Sequence, residues 1–430
     1  MPDGTSTAHL YRPKLVTVLG EGYGTTAFRA DLMAAITVAI VALPLSMAIA
    51  VASGVEPERG LYAAIIGGTL VSALGGSRFQ IGGPAGAFIT LVAATAMRFG
   101  VEGLLLTVFL SGILLVLLGA LRIGSLIRHI PHAVTVGFTS GIAVTIFASQ
   151  LKDLGGLKLW VPEPGPLLAK LKVLAGAVPT MTPSALLLGL ATAVLIFALR
   201  RYRPLWPRKL IAVMLASIAV ALLHLPVVTI GSRFGGIPHG LPWPHLPPVS
   251  WGRILEVLPS ARSCTLLGGI ESLLSAKVAD GMTARRHRSN MELVAQGLAN
   301  IASALFGGIS VTGTIARTAT NIRAGARSPL SGIMHAAILL LFMLVAARLA
   351  SYVPLCALAA VLVVVCWNMA ERAEFARLLR SWRTALVLLT TFVLTIVVDL
   401  TAGIVSGCVV AALLAVYERA AARGGADRAG

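Results

Sequence analysis

FGGISVTGTIARTATN, residues 306–321, is the stretch on which the reading of this chain turns. It opens with Gly307 and Gly308 in apolar sequence, passes through Thr312, Gly313 and Thr314, and enters a short helix carrying Arg317. A cation at the centre of a membrane-spanning helix costs roughly 2.5–3.5 kcal/mol. Glycine and threonine beside it suit a broken helix, whose free N–H groups and positive dipole end hold an anion at mid-membrane. The stretch reads as half of an anion site.

Composition supplies the membrane. Hydrophobic residues make up 57% of the chain, charged residues 12%, and the mean hydropathy is +0.88. Soluble domains carry about twice that charge, roughly 25%, so the fold class is an all-α polytopic membrane protein. The formal net charge of +18 is spread between apolar runs without clusters or interleaved aromatics, which argues against a nucleic-acid partner. The four cysteines, Cys264, Cys356, Cys366 and Cys408, fall in or beside apolar segments and lack metal-ligand spacing. No nucleophile–base pair, phosphate loop or metal cluster points to an enzyme, and no cofactor or metal is implied. The polar N-terminus has no signal-peptide core, so a cytoplasmic start in a bacterial inner membrane is expected.

Apolar runs predict seven spans near 32–52, 60–75, 85–97, 104–121, 133–151, 184–199 and 210–223. Seven more lie near 263–280, 291–306, 312–326, 329–351, 354–370, 383–399 and 401–420. Residues 1–30 form a cytoplasmic lead-in, 31–224 and 263–420 the two halves, and the proline-rich 225–262 a linker. Pro44 should break or kink the first span. Cytoplasmic segments then hold 22 Lys and Arg against ten outside, which places both termini in the cytoplasm.

The halves echo each other. Gly75-Gly76 precedes one glycine-interrupted segment as Gly307-Gly308 precedes the other, and His129-Ile130-Pro131 matches Tyr352-Val353-Pro354. Seven spans per half is odd, so the halves enter the membrane in opposite senses: a seven-plus-seven inverted repeat. Short strands are expected before half-helices three and ten, whose N-termini then face each other.

Glu271 is the carboxylate most clearly inside an apolar run, and the default for such a residue is a proton or cation coupling role. An ion pair with Arg317 is the structural alternative. Ser275 lies one turn further along the same face. Lys277 reads as a snorkelling cation at the helix end, Arg78 as a strand-end residue, and Asp31 and Asp399 as caps or interfacial groups at span ends. His129 and His132 read as a loop or helix-start pair.

The run from Val278 to Gly332, VADGMTARRHRSNMELVAQGLANIASALFGGISVTGTIARTATNIRAGARSPLSG, resembles the signature region of the sulfate permease (SulP) family, solute carrier family 26. ALPLSMAIAVASGVEPERGLYAAIIG at 42–67, IGGPAGAF at 81–88 and IPHGLPWPHLP at 237–247 agree with it. The resemblance implies a core domain of spans one to four and eight to eleven, and a gate domain of spans five to seven and twelve to fourteen. It implies elevator-like anion transport and a homodimer in the bilayer. Carried over by position, the substrate site comprises Leu45, Ser46, Ala85, Gly86, Ala87, Ser275, Thr314, Ile315, Ala316 and Arg317, with Glu271 coupling protons.

Leu45 and Ile49 stand where many sulfate-type members have Gln and Tyr. Glu271 stands where sodium-coupled bicarbonate members have Asp, and those members lack a match to Arg317. The expectation is therefore proton-coupled symport of a carboxylate such as fumarate. Bicarbonate or sulfate transport or exchange, an anion channel, and a nucleobase–proton symporter of the same fold are the alternatives. Family members usually continue into a cytoplasmic STAS domain, whereas this sequence stops at ERAAARGGADRAG; the alternatives are a shortened form and a member without the domain, and a shortened form is the expectation.

Overall fold

A computed structural model describes residues 11–124, 131–161, 163–164, 167–203, 206–398 and 400–426. Helix dominates it. A short α1 (Lys14–Gly20) precedes α2 (Thr25–Ala52), which is assigned as one helix through Pro44 rather than ending there. α3 (Pro57–Tyr62) starts on Pro57, whose fixed φ suits a first helical residue, and passes through a π-turn (Ala63–Gly67) into α4 (Gly68–Leu74). Next come β1 (Gly82–Gly83) and a 3₁₀ turn (Gly86–Phe88) that leads directly into α5 (Ile89–Ala120). Gly100, at φ 71°, divides α5 into the expected half-helix and the following span.

The first half continues with α6 (His132–Gly155), α7 (Leu167–Ala177), α8 (Pro183–Tyr202), α9 (Arg208–Leu223) and the short α10 (Ile230–Phe234). The second half holds α11 (Trp251–Thr283), α12 (Ser289–Leu305), β2 (Thr312–Gly313), α13 (Ile315–Arg323) and α14 (Leu330–Ala350). It closes with α15 (Leu355–Met369), α16 (Arg372–Leu378), α17 (Trp382–Val397) and α18 (Leu400–Ala426).

Two boundaries differ from the expectation. The linker is not all linker, because α11 begins at Trp251, where the Ser250 side chain accepts from the Arg253 N–H at 3.3 Å. Pro259 sits in the third turn without ending that helix. The lysine-rich loop after α6 contains α7, whose Lys170 is buried. Asp399, His129 and Ile130 lie outside the described residues.

Among the described residues, six helices are long and apolar enough to cross a membrane, including α2, the combined Gly86–Ala120 helix, α6 and α14. α5 packs along α12 and α11, and α2 along α14. Gly112 and Gly297 make the α5–α12 crossing close: a Cβ on either would press on the other's carbonyl oxygen. A second set is formed by α6 against α15 and α17, with α8 on α15, and α15 also touches α2. β1 and β2, from opposite halves, pair antiparallel with Gly82 opposite Gly313 and Gly83 opposite Thr312. This small ribbon positions the site.

Candidate functional site between two half-helices

The ribbon is held by side chains from three helices. On its β2 side, Asn300 of α12 acts as a substitute strand. Its Nδ2 donates to the Val311 carbonyl at 2.8 Å, and its Oδ1 accepts from the Val311 N–H at 2.9 Å. The Thr312 hydroxyl donates to the Gly268 carbonyl of α11. On the β1 side, the Ile81 N–H donates to Thr318 Oγ1 at 3.1 Å, and the Gln80 amide donates to the Ser272 carbonyl at 3.1 Å. Asn321 reaches the Phe79 carbonyl and the Ser331 hydroxyl, both at 2.9 Å. Glu292, fully buried at the start of α12, accepts from the Ser77 N–H at 3.0 Å and from Gln296 at 3.1 Å. Polar groups buried this deeply cost energy unless paired. Here the pairing fixes two strand segments that have no sheet around them.

Two helix starts follow from this frame. Ala85 and Thr314 are both extended residues, and neither helix start receives a side-chain cap. The Thr314 hydroxyl, which would otherwise fold back as a cap, donates to the Ile81 carbonyl. The first N–H groups of both helices are thus left for another acceptor. Gly86 faces Ile146 of α6 and Met369 of α15, which stand 3.7 and 3.6 Å from where its Cβ would be. Ala85 and Ala87 are buried, Ile315 is half-buried and Ala316 is exposed.

Arg317 is 1% exposed. Its Nη2 donates to the Ser46 hydroxyl at 3.1 Å and to the Pro84 carbonyl at 3.2 Å, while Nε and Nη1 have no partner among the described residues. The guanidinium lies over Gly83, where any side chain would collide with Nη1. These bonds go to Ser46 and Pro84 and not to Glu271, so the ion pair weighed from sequence is not formed. Glu271, half-buried on α11, keeps one carboxylate oxygen sealed from solvent and unpartnered.

Of the other residues picked out by sequence, Leu45 is buried beside Ser46 on α2. Ser275 uses its hydroxyl on Thr318 Oγ1 at 3.2 Å, so its role in the structure is to brace α13. Lys277 is exposed, and Arg78 pairs with Glu21. Asp31 is not an interfacial cap. It is fully buried and accepts from the Arg327 and Ser328 N–H groups at 2.6 and 3.1 Å. Among the described residues, no group of three or more His, Cys, Asp or Glu could hold a metal ion.

Sequence reasoning passed over Gln80, Glu292, Gln296, Asn300, Thr318 and Asn321. A signal for three of them was present. Glu292, Gln296 and Asn300 recur every four residues, a polar stripe along one face of an otherwise apolar helix.

Paired half-helices preceded by a two-strand ribbon define a transporter architecture, and the comparisons identify which. The profile of the sulfate permease family matches residues 28–395. This chain belongs to the sulfate permease family. It is 43% identical over 91% of its length, and 74% of the relative's, to the putative sulfate transporter YvdB of Bacillus subtilis. It is 31% identical over 90% of its length, and 70% of the relative's, to the bicarbonate transporter BicA of Picosynechococcus. Among solved structures, the transmembrane domain of a cyanobacterial BicA aligns with a TM-score of 0.80 at 31% identity, covering 89% of this chain and 98% of that one. SLC26A9 aligns with a TM-score of 0.88 at 17% identity, covering 96% and 69%, and supports the fold alone. Members of this sulfate permease family are multi-pass membrane transporters, not enzymes.

Proposed function

We propose that the chain is a secondary active anion carrier that holds its substrate between the starts of α5 and α13. The observation that carries this reading is the pairing of two uncapped helix starts beside a buried guanidinium with two unpartnered nitrogens. Two positive helix ends and a fixed cation favour an anion over a cation or a neutral base. A nucleobase symporter would call for a carboxylate on span ten, and residues 312–321 contain none.

The substrate site comprises Leu45, Ser46, Ala85, Gly86, Ala87, Thr314, Ile315, Ala316 and Arg317. Glu271 is the proton carrier, because its sealed, unpartnered oxygen is the one carboxylate oxygen on α11 in such a position. The helices around α2, α5 and α11–α14 move as a core against a gate of α6, α8, α9, α15, α17 and α18, carrying the site across the bilayer. The carrier sits as a homodimer in a bacterial inner membrane with both termini in the cytoplasm.

The named relatives put sulfate and bicarbonate first among substrates, with a carboxylate such as fumarate as the third. The deciding experiment is uptake of each labelled anion into proteoliposomes under an imposed pH gradient and then a sodium gradient, with wild type beside Glu271→Gln. Proton-driven accumulation that the Gln variant loses supports the reading. Sodium-driven accumulation moves Glu271 to a cation site. Flux of an anion without accumulation under either gradient makes the protein a channel or exchanger.

A further inference from the structure

A cavity of about 430 Å³ opens between the ends of α2 and α6 and the half-helix of α5, along which its lining runs from Ile89 to Val101. Five charged residues line it: Lys152, Asp153, Glu163, Lys170 and Arg233. Four of them cancel in pairs, Arg233 with Asp153 at 3.3 Å and Lys170 with Glu163 at 2.9 Å. Lys170 is also fixed by the Ser149 hydroxyl at 2.5 Å and is buried. The Lys152 ammonium has no ion pair among the described residues, so the cavity carries a surplus positive charge. Its inner wall holds Thr90, whose hydroxyl is sealed from solvent and has no partner.

Two further facts make this more than a charged surface. Lys152, Lys158, Lys170 and Lys172 are four of the ten basic residues on the side that the charge asymmetry assigns to the outside, where lysine is otherwise sparse. Along α5 the cavity's lining also begins at Ile89, and it includes neither Ala85, Gly86 and Ala87 nor any residue of α13. An anion in this cavity is therefore not yet in the substrate site.

We propose that this cavity is an outer capture site, in which Lys152 holds the transported anion before the helix starts become accessible. The ligand class is a small oxyanion or carboxylate that pairs with one cation. Low-dielectric walls focus the field of an unneutralised ammonium and raise the local anion concentration. The inference rests on the anion-carrier reading for its cargo, but not for the existence of the site.

The test uses the whole chain in proteoliposomes. A membrane-impermeant amine reagent is applied from the Lys152 face, and modification of Lys152 is followed by peptide mass spectrometry with and without millimolar sulfate, bicarbonate or fumarate. At least one of these anions should protect Lys152. Lys152→Gln should raise the KM for uptake from that face at least about threefold, with kcat unchanged and with a smaller effect at high salt. If Lys152 is slow to react and indifferent to every anion, a lipid phosphate occupies the cavity and the inference falls. Uptake with unchanged KM and no protection removes the capture site while leaving the carrier. Protection without uptake of any anion leaves the capture site and removes the carrier.

Discussion

The Arg317 guanidinium donates to the Ser46 hydroxyl at 3.1 Å across 271 residues of sequence, joining the second half-helix to the first span. The same nitrogen holds the Pro84 carbonyl, one residue before the extended start of the other half-helix. One side chain thus ties together three of the segments that form the site. Ser46→Ala should lower stability by about 1.5–3 kcal/mol, the usual worth of a hydrogen bond to a charged group, read as thermal unfolding in detergent. Arg317→Gln should reduce uptake by at least about tenfold, equivalent to about 1.4 kcal/mol. Arg317→Lys should recover little of that loss, since an ammonium that keeps Ser46 and Pro84 lacks the Nε and Nη1 donors that the guanidinium leaves free for an anion.

Two glycines of the ribbon are required by space. A methyl on Gly83 would occupy the place of Arg317 Nη1, and one on Gly313 would occupy that of the Gln80 side chain. Gly83→Ala and Gly313→Ala should each cost about 1–3 kcal/mol from overpacking. Both should also lose uptake, because the guanidinium or the strand must move. Gly252→Ala is the control. Nothing lies within 4 Å of its Cβ position near the exposed start of α11, and stability should hold or rise slightly.

Much of this architecture was legible in the sequence because the signals were local. Glycine doublets interrupt the apolar runs at 75–76 and 307–308, and the ribbon and half-helices follow each of them. Asp31 was not legible, because its donors on Arg327 and Ser328 lie on a loop nearly 300 residues away and its own helix gives no hint of them. Ser275 entered the site by resemblance, and its hydrogen bond to Thr318 was not legible because the two residues are 43 apart in sequence. The α11 boundary was misjudged because proline counts as a breaker in sequence, whereas an exposed first stretch of helix tolerates one lost hydrogen bond.

Asn300 offers a test of the ribbon without touching the site. Asn300→Asp keeps the acceptor for the Val311 N–H but removes the donor to the Val311 and Gln296 carbonyls. Each buried group left unpaired costs about 1–3 kcal/mol, so unfolding should shift well below wild type. Protein that remains folded should transport with a lowered kcat rather than a raised KM, since β2 aims α13 without touching the substrate.

Tyr23, in the lead-in before α2, donates to the buried Asp31 carboxylate at 2.9 Å. Burial, and then that hydrogen bond, pushes its hydroxyl from 10.0 up to about 12. The folded protein therefore keeps a proton that the unfolded chain gives up first. The resulting stabilisation is complete below the unfolded value of 10.0 and is lost as pH rises through about 12. Tyr23→Phe should be less stable than wild type near neutral pH by about 1.5–3 kcal/mol, the usual worth of a hydrogen bond to a charged group. The gap should close as pH climbs through that window, because wild type loses the contribution and the variant has none to lose. Thermal unfolding of both proteins across the alkaline range measures it, and a gap that stays constant with pH would mean that Tyr23 does not hold its proton through Asp31.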